Sequence, residues 1–114
     1  MNKVTTALSM IVFLFAMGTG ISYAEMHGDK ALMHAQLAAQ HGRKGHADVL
    51  TKHAQTALEH AQASQKAHMA RAKHMEEAIT HLNAAIEHGK AGHADIATKH
   101  MNQAIEHIKA ANHK

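Results

Sequence analysis

The chain has 114 residues, including 14 His and no Cys, Pro or Trp, and its formal net charge is +3 when His is neutral. A chain of this length is expected to form one domain, and without Cys it has no disulfides, Cys-based zinc sites or iron–sulfur clusters. The small charge argues against nucleic-acid binding, and abundant Ala without Pro argues against an all-β fold. The number of His needs an explanation, because imidazole is a common metal ligand and titrates near neutral pH.

The first 24 residues have the features of a secretory signal peptide that is removed on export. Lys3 provides a positive charge, residues 7–17 are apolar, and Ser22-Tyr23-Ala24 has small residues at the positions that precede a cleavage site. The apolar segment is shorter than the roughly 20 residues of a membrane helix. We therefore expect the mature chain, residues 25–114, in the periplasm and not inserted in a membrane. The alternative is an uncleaved N-terminal anchor.

The mature chain repeats itself at an offset of 47 residues. The segment QHGRKGHADVLTKHAQTALEHAQAS at 40–64 matches EHGKAGHADIATKHMNQAIEHIKAA at 87–111. Each repeat, about 27–64 and 74–111, predicts two helices whose short connection makes them antiparallel neighbours. We predict an all-α protein, an antiparallel up-down four-helix bundle made of two duplicated helical hairpins. Its helices are expected at about 29–41, 46–64, 69–88 and 93–111.

Glycines and the join between the repeats define the expected helix ends. Gly42 and Gly89 are expected to adopt the left-handed conformation that ends a helix. The join at 64–68 contains neither Gly nor Pro. A break is expected near Ser64 in a monomer, and the alternative is one helix over 46–88, which favours a swapped dimer.

The His residues follow the apolar seam of each helix. In a heptad frame with Ala47, Ala54 and Ala61 at position a, the repeated His occupies position g beside the seam. Twelve of the 14 His obey both this frame and the repeat, and only His68 and His113 do not.

Across an antiparallel pair of helices, g positions face each other, and each short turn sets which of them meet. The predicted pairs are His27–His60, His34–His53, His41–His46, His74–His107, His81–His100 and His88–His93. Successive pairs are expected to lie about 10 Å apart. No two His are three or four residues apart, so any metal site must form between helices or at a turn. The alternative is that these His only line a solvated helix flank.

Paired imidazoles predict sites for divalent transition metals, with Cu(II) favoured and Ni(II) and Zn(II) also accepted. Asp48, Asp95 and Glu77 are candidate additional ligands, whereas Met75 and Met101 occupy a positions and are expected to fill the core. Two His with water or a carboxylate form weak, exchangeable sites, typical of a metal buffer, scavenger or carrier. Catalytic motifs such as His-Glu-x-x-His are absent from the sequence, and we expect no enzyme activity. The alternative is a pH-responsive protein that binds anionic surfaces when its His are protonated.

Cleavage after Ala24 would create one more site. The free amine of Glu25 with His27 at the third position is similar to the N-terminal motif that binds Cu(II) and Ni(II) in a square plane. Met26, Met33 and Met69 are candidate soft ligands for Cu(I).

The blocks HGRKGHAD at 41–48 and HGKAGHAD at 88–95, ATKH at 97–100 and AIEH at 104–107, together with the export signal, resemble the small metal-binding protein family. These are His-rich periplasmic four-helix bundles associated with ammonia-oxidising bacteria and copper. The resemblance covers essentially the whole mature chain. It implies a monomeric bundle that binds several divalent metals, copper foremost, through the His of its four helices. The join at 64–68 lacks the Gly expected in the family, which leaves the orientation of the hairpins open.

Overall fold

The computed structural model describes residues 22–67 and 72–112. They form four α-helices, namely α1 (Tyr23–Arg43), α2 (Ala47–Ala67), α3 (Ala72–Lys90) and α4 (Ala94–Asn112). Each helix packs against its neighbours in the chain, and α1 also packs against α4, which closes the ring of a four-helix bundle. The predicted fold class is therefore confirmed. Within the described residues, no helix is both long and apolar enough to cross a membrane.

The helix bounds differ from the predicted ones mainly at the start of α1. This helix begins at Tyr23, well before the predicted start near residue 29, because a capping box forms: the Ser22 hydroxyl accepts from the Glu25 N–H, and the Glu25 carboxylate accepts from the Ser22 N–H. At its other end, α2 continues past the predicted break at Ser64. Because α2 and α3 pack side by side, the alternative of one helix over 46–88 is wrong. Residues 1–21 of the predicted signal peptide lie outside the described residues, and its removal stays a prediction.

Both hairpin turns end their first helix with the same hydrogen bonds. In the first turn the Gly45 N–H donates to the Gly42 carbonyl over 2.9 Å, and the His46 N–H donates to the His41 carbonyl over 3.0 Å, which is a Schellman motif. The left-handed residue of this motif is Gly45, with φ of +79°, and its repeat equivalent Gly92 has φ of +80°. The prediction that placed this conformation three residues earlier, at the first Gly of each turn, is therefore wrong.

Gly42 and Gly89 are instead buried helical residues at which the two hairpins meet. A Cβ on Gly42 would clash with Thr98 Oγ1, and a Cβ on Gly89 would clash with Thr51 Oγ1. Each hairpin thus presents its Gly to the Thr of the other hairpin. These two reciprocal contacts fix how the hairpins dock at the turn end, the end of the bundle that contains both hairpin turns.

The core between the helices consists mainly of small side chains. Its larger members include Leu50 and Leu82, together with Met75 and Met101, whose predicted role as core residues is confirmed because both are fully buried. Most of the remaining buried positions are Ala. Because Ala side chains are short, the helices approach closely, and the g positions lie at the surface edge of each seam.

Candidate metal centre

Two rows of imidazoles run along the bundle, one on each hairpin. Row 1 consists of His27, His34 and His41 on α1 with His46, His53 and His60 on α2; row 2 consists of the equivalent His74, His81 and His88 on α3 with His93, His100 and His107 on α4. Within each of the six predicted pairs, the two ring centroids lie 5.1–6.4 Å apart. The distances are 5.1 Å for His27–His60, 5.5 Å for His34–His53, 5.8 Å for His41–His46, 6.4 Å for His74–His107, 5.6 Å for His81–His100 and 6.0 Å for His88–His93. The predicted pairing is therefore confirmed in both hairpins.

The turn sets the register of each row. In a Schellman motif the residues at the two ends of the longer hydrogen bond come together, and their side chains are usually apolar. In the first turn these two residues are His41 and His46, and in the second turn they are His88 and His93. The next pair consists of the residue seven positions earlier on the first helix and the residue seven positions later on the second helix, and the same step leads on to the third pair. The five-residue spacing across each turn thus aligns the whole row.

In three pairs the two Nδ1 atoms face each other. They are 2.8 Å apart in His27–His60, 3.2 Å in His34–His53 and 3.3 Å in His81–His100. Between two neutral rings, one Nδ1 carries the hydrogen and donates it to the other. Two nitrogens bound to one metal ion have a similar separation of about 2.9–3.4 Å, since metal–nitrogen bonds are about 2.0–2.1 Å long. These pairs are therefore spaced to share either a proton or a metal ion.

The pairs are in contact with one another, whereas the sequence predicted separate pairs about 10 Å apart. Rings that lie diagonally across the seam stack within 14° of parallel. Their centroids are 5.9 Å (His34–His60), 5.7 Å (His41–His53), 5.5 Å (His81–His107) and 5.5 Å (His88–His100) apart. Neighbouring helices are staggered, so that each inner ring lies between two rings of the other helix. Each row is therefore a continuous zigzag, a feature that the pair-by-pair prediction missed.

Row 2 includes a carboxylate at the open end of the bundle, the end opposite the turns. Glu77 Oε2 lies 3.0 Å from His107 Nδ1 and 3.6 Å from His74 Nδ1. One ligand atom from each of these three residues lies within 4.8 Å of the others. Among the described residues, neither Asp48 nor Asp95 joins such a group of three, so Glu77 is the one predicted helper carboxylate that meets a His pair.

Burial and neighbouring charges lower the pKa of two His in the rows, one in each row. Burial lowers the pKa of His60 from its ordinary value, and positive charge on His27, His34 and Lys30 lowers it further. Burial likewise lowers the pKa of His81, with a further contribution from His100 and His107 and an opposing one from Glu77. Both rings therefore tend to be neutral, which is the state in which an imidazole binds a metal.

The remaining candidate ligands do not extend the rows. Met26 and Met33 are exposed side chains on α1. In the intact chain, Glu25 to His27 lie in the first turns of this helix, so a chelate at the N-terminal amine depends on the predicted cleavage. The predicted candidates His68, His113 and Met69 lie outside the described residues.

The fold and the rows define a class of protein, a helical bundle that displays paired imidazoles along two of its seams. A family model for small metal-binding protein matches residues 1–111, and the chain belongs to that family. The resemblance found in the sequence is thereby confirmed, and membership indicates metal binding. A search of curated proteins finds no match.

Proposed function

We propose that this protein binds several divalent transition-metal ions between the paired imidazoles of its two rows, with Cu(II) preferred over Ni(II) and Zn(II), and acts as an exported metal buffer or carrier. The observation that carries the proposal is the short Nδ1···Nδ1 distance in His27–His60, His34–His53 and His81–His100. The preference for copper rests on the general order of divalent metal affinity at nitrogen ligands. The location rests on the predicted signal peptide.

A second observation supports ligation at the turn end. The Nδ1 atom of His41 is buried and has no hydrogen-bond partner among the described residues. A buried polar atom without a partner is unfavourable, and a metal ion shared with His46 would satisfy it. The rings of this pair already lie 5.8 Å apart between centroids.

The arrangement favours exchangeable binding over catalysis. Most pairs offer only two imidazoles, and the rest of the coordination shell would come from water, so each ion is bound weakly and passes readily to a partner that offers more ligands. Each bound ion competes with protons for the same ring nitrogens, so affinity decreases as the pH falls. Several such sites on one small bundle suit a protein that takes up and releases metal.

The test is calorimetric titration with Cu(II) at neutral pH, comparing the wild type with His34→Gln/His53→Gln. This double variant removes an inner pair of row 1 from two half-buried positions outside the core. We expect it to bind at least one ion fewer. The matched control is His68→Gln/His113→Gln, which removes two His that do not follow the repeat and is expected to bind as many ions as the wild type.

Equal losses in the two variants would contradict the paired-row interpretation. Acid-dependent binding to anionic lipid vesicles, unaffected by a chelator, would instead favour the second candidate function, a pH-responsive interaction protein. The stacking of His34 on His60 and of His41 on His53 favours some acid response, because protonation would place like charges on neighbouring rings.

A further inference from the structure

The open ends of the two rows have the same His pair but differ in the charge of one neighbouring residue. His27–His60 ends row 1, and His74–His107 ends row 2. Three residues after the first His of each pair, row 1 has Lys30 and row 2 has Glu77. The two residues are 47 positions apart and therefore occupy the same place in the repeat.

At the end of row 2, the acidic residue contributes directly to the site. Glu77 Oε2 is 3.0 Å from His107 Nδ1 and 3.6 Å from His74 Nδ1, so the three side chains converge from α3 and α4. His74 is exposed and the other two residues are half-buried, which leaves an approach for a hydrated ion. A carboxylate supplies a third ligand and offsets part of the charge of a divalent cation, which two neutral imidazoles cannot do.

At the end of row 1, the basic residue has the opposite effect. Lys30 follows His27 by three residues on α1, as Glu77 follows His74 on α3, so both side chains lie on the same face of the helix as the His before them. A lysine offers no ligand atom to a cation, and its positive charge opposes a divalent cation placed between His27 and His60.

We propose that Glu77 and Lys30 make the two rows unequal: the first divalent ion binds at His74, Glu77 and His107, and the pair His27–His60 is the last to fill. This inference rests on the proposed function, since it assumes that the rows bind metal, and it adds an order of loading. The protein would then hold one ion firmly at the open end of row 2 and exchange the ions of row 1 readily.

The test uses Cu(II) as the probe in the mature chain with its N-terminal amine acetylated, because a free amine at Glu25 would itself bind Cu(II) together with His27. Cu(II) is paramagnetic and broadens the NMR signals of nearby protons, so less than one equivalent reveals which site fills first. In the wild type, the signals of His74 and His107 are expected to broaden before those of any other pair. Glu77→Gln is expected to abolish this order and to weaken the first binding step at least about tenfold. Glu76→Gln, which removes an adjacent exposed carboxylate, is the matched control. It is expected to leave the order of loading and the affinity of the first binding step unchanged.

The reciprocal variant creates the site in the other hairpin. Lys30→Glu is expected to make His27 and His60 broaden together with His74 and His107, which yields two tight sites. The control Lys44→Glu makes the same change in net charge at the turn end. In this variant, His27 and His60 are not expected to broaden together with His74 and His107.

Two results would overturn the inference while leaving the proposed function intact. One is that sub-stoichiometric Cu(II) broadens both rows equally or broadens an inner pair first. The other is that Glu77→Gln binds the first ion as tightly as the wild type does. If no variant and no wild-type protein binds Cu(II) at neutral pH, the proposed function itself fails, so the two failures are distinguishable.

Discussion

Replacing Gly42 by Ala tests how the two hairpins are held together. A Gly inside a helix usually stabilises a protein by about 1 kcal/mol when changed to Ala, because Ala loses less conformational freedom on folding. At this position the added Cβ would clash with Thr98 Oγ1 and would lie 2.5 Å from Leu50 Cδ1. The Thr98 side chain cannot rotate away without losing the hydrogen bond that its hydroxyl donates to the Ala94 carbonyl over 2.6 Å.

The expected magnitude is the difference between these two effects. Forcing an extra methyl group into a packed interface costs about 1–3 kcal/mol. After the helix-propensity gain of about 1 kcal/mol is subtracted, Gly42→Ala is expected to lower the free energy of unfolding by up to about 2 kcal/mol. For a domain of this size, the upper value corresponds to a decrease in Tm of about 8–16 °C.

The assay is thermal and urea unfolding of the metal-free protein, followed by far-ultraviolet circular dichroism. A double-mutant cycle with Thr98→Ala isolates the contact, because removing the Thr side chain makes room for the new methyl group. We expect a coupling energy of at least about 1 kcal/mol, with Gly42→Ala less harmful in the Thr98→Ala background.

Gly45→Ala serves as the control for this cycle. Its Cβ would meet no atom within 4 Å, but its φ of +79° is unfavourable for Ala. It is expected to cost about 1–2 kcal/mol without any coupling to Thr98→Ala. If Gly42→Ala raises Tm, or if its effect simply adds to that of Thr98→Ala, the proposed docking of the hairpins through Gly and Thr is refuted.

Three further predictions concern the core, pH and metal. Leu50 is fully buried, so Leu50→Ala leaves a cavity and is expected to lower the free energy of unfolding, measured by urea titration, by about 2–5 kcal/mol. The control Lys52→Ala, at an exposed position, is expected to change it by less than about 0.5 kcal/mol. Folding lowers the pKa values of His60 and His81 from 6.5, so on acidification the unfolded chain takes up protons before the folded protein does. The metal-free protein is therefore expected to lose stability as the pH falls below about 6.5. A urea unfolding midpoint that rises on acidification would contradict this. Cu(II) at 100 times its Kd is expected to add about 2.7 kcal/mol per independent site to the free energy of unfolding. The measurement is a rise in Tm that a chelator reverses. A Tm that does not respond to Cu(II) would argue against binding to the folded state.

The pairing of the His could be predicted from the sequence because two local features determine it. A short turn fixes which residues meet first, and a seven-residue spacing on both sides of the turn preserves that match along the whole hairpin. The pair His41–His46 and the distant pair His27–His60 therefore follow from the same two numbers. No contact between the hairpins is needed for this inference, and the repeat shows the same pattern twice.

The role of the first Gly in each turn could not be predicted in this way. Gly42 and Gly45 flank the same two basic residues, and either position is compatible with a helix end. The distinction depends on Thr98, which is far away in the sequence and belongs to the other hairpin. The early start of α1 did have a local signal, since Ser22 and Glu25 have the spacing of a capping box, but this signal overlaps the predicted cleavage site.

The structure separates the residues that hold each hairpin together from those that join the two hairpins. Metal ions between paired imidazoles would link α1 to α2 and α3 to α4, but they would not link one hairpin to the other. The contacts between Gly42 and Thr98 and between Gly89 and Thr51 connect the hairpins without any row residue. Loss of metal should therefore loosen the outer edge of each hairpin seam and leave the docking of the hairpins and the Ala-rich core in place. The proposed release of ions therefore does not require the protein to unfold.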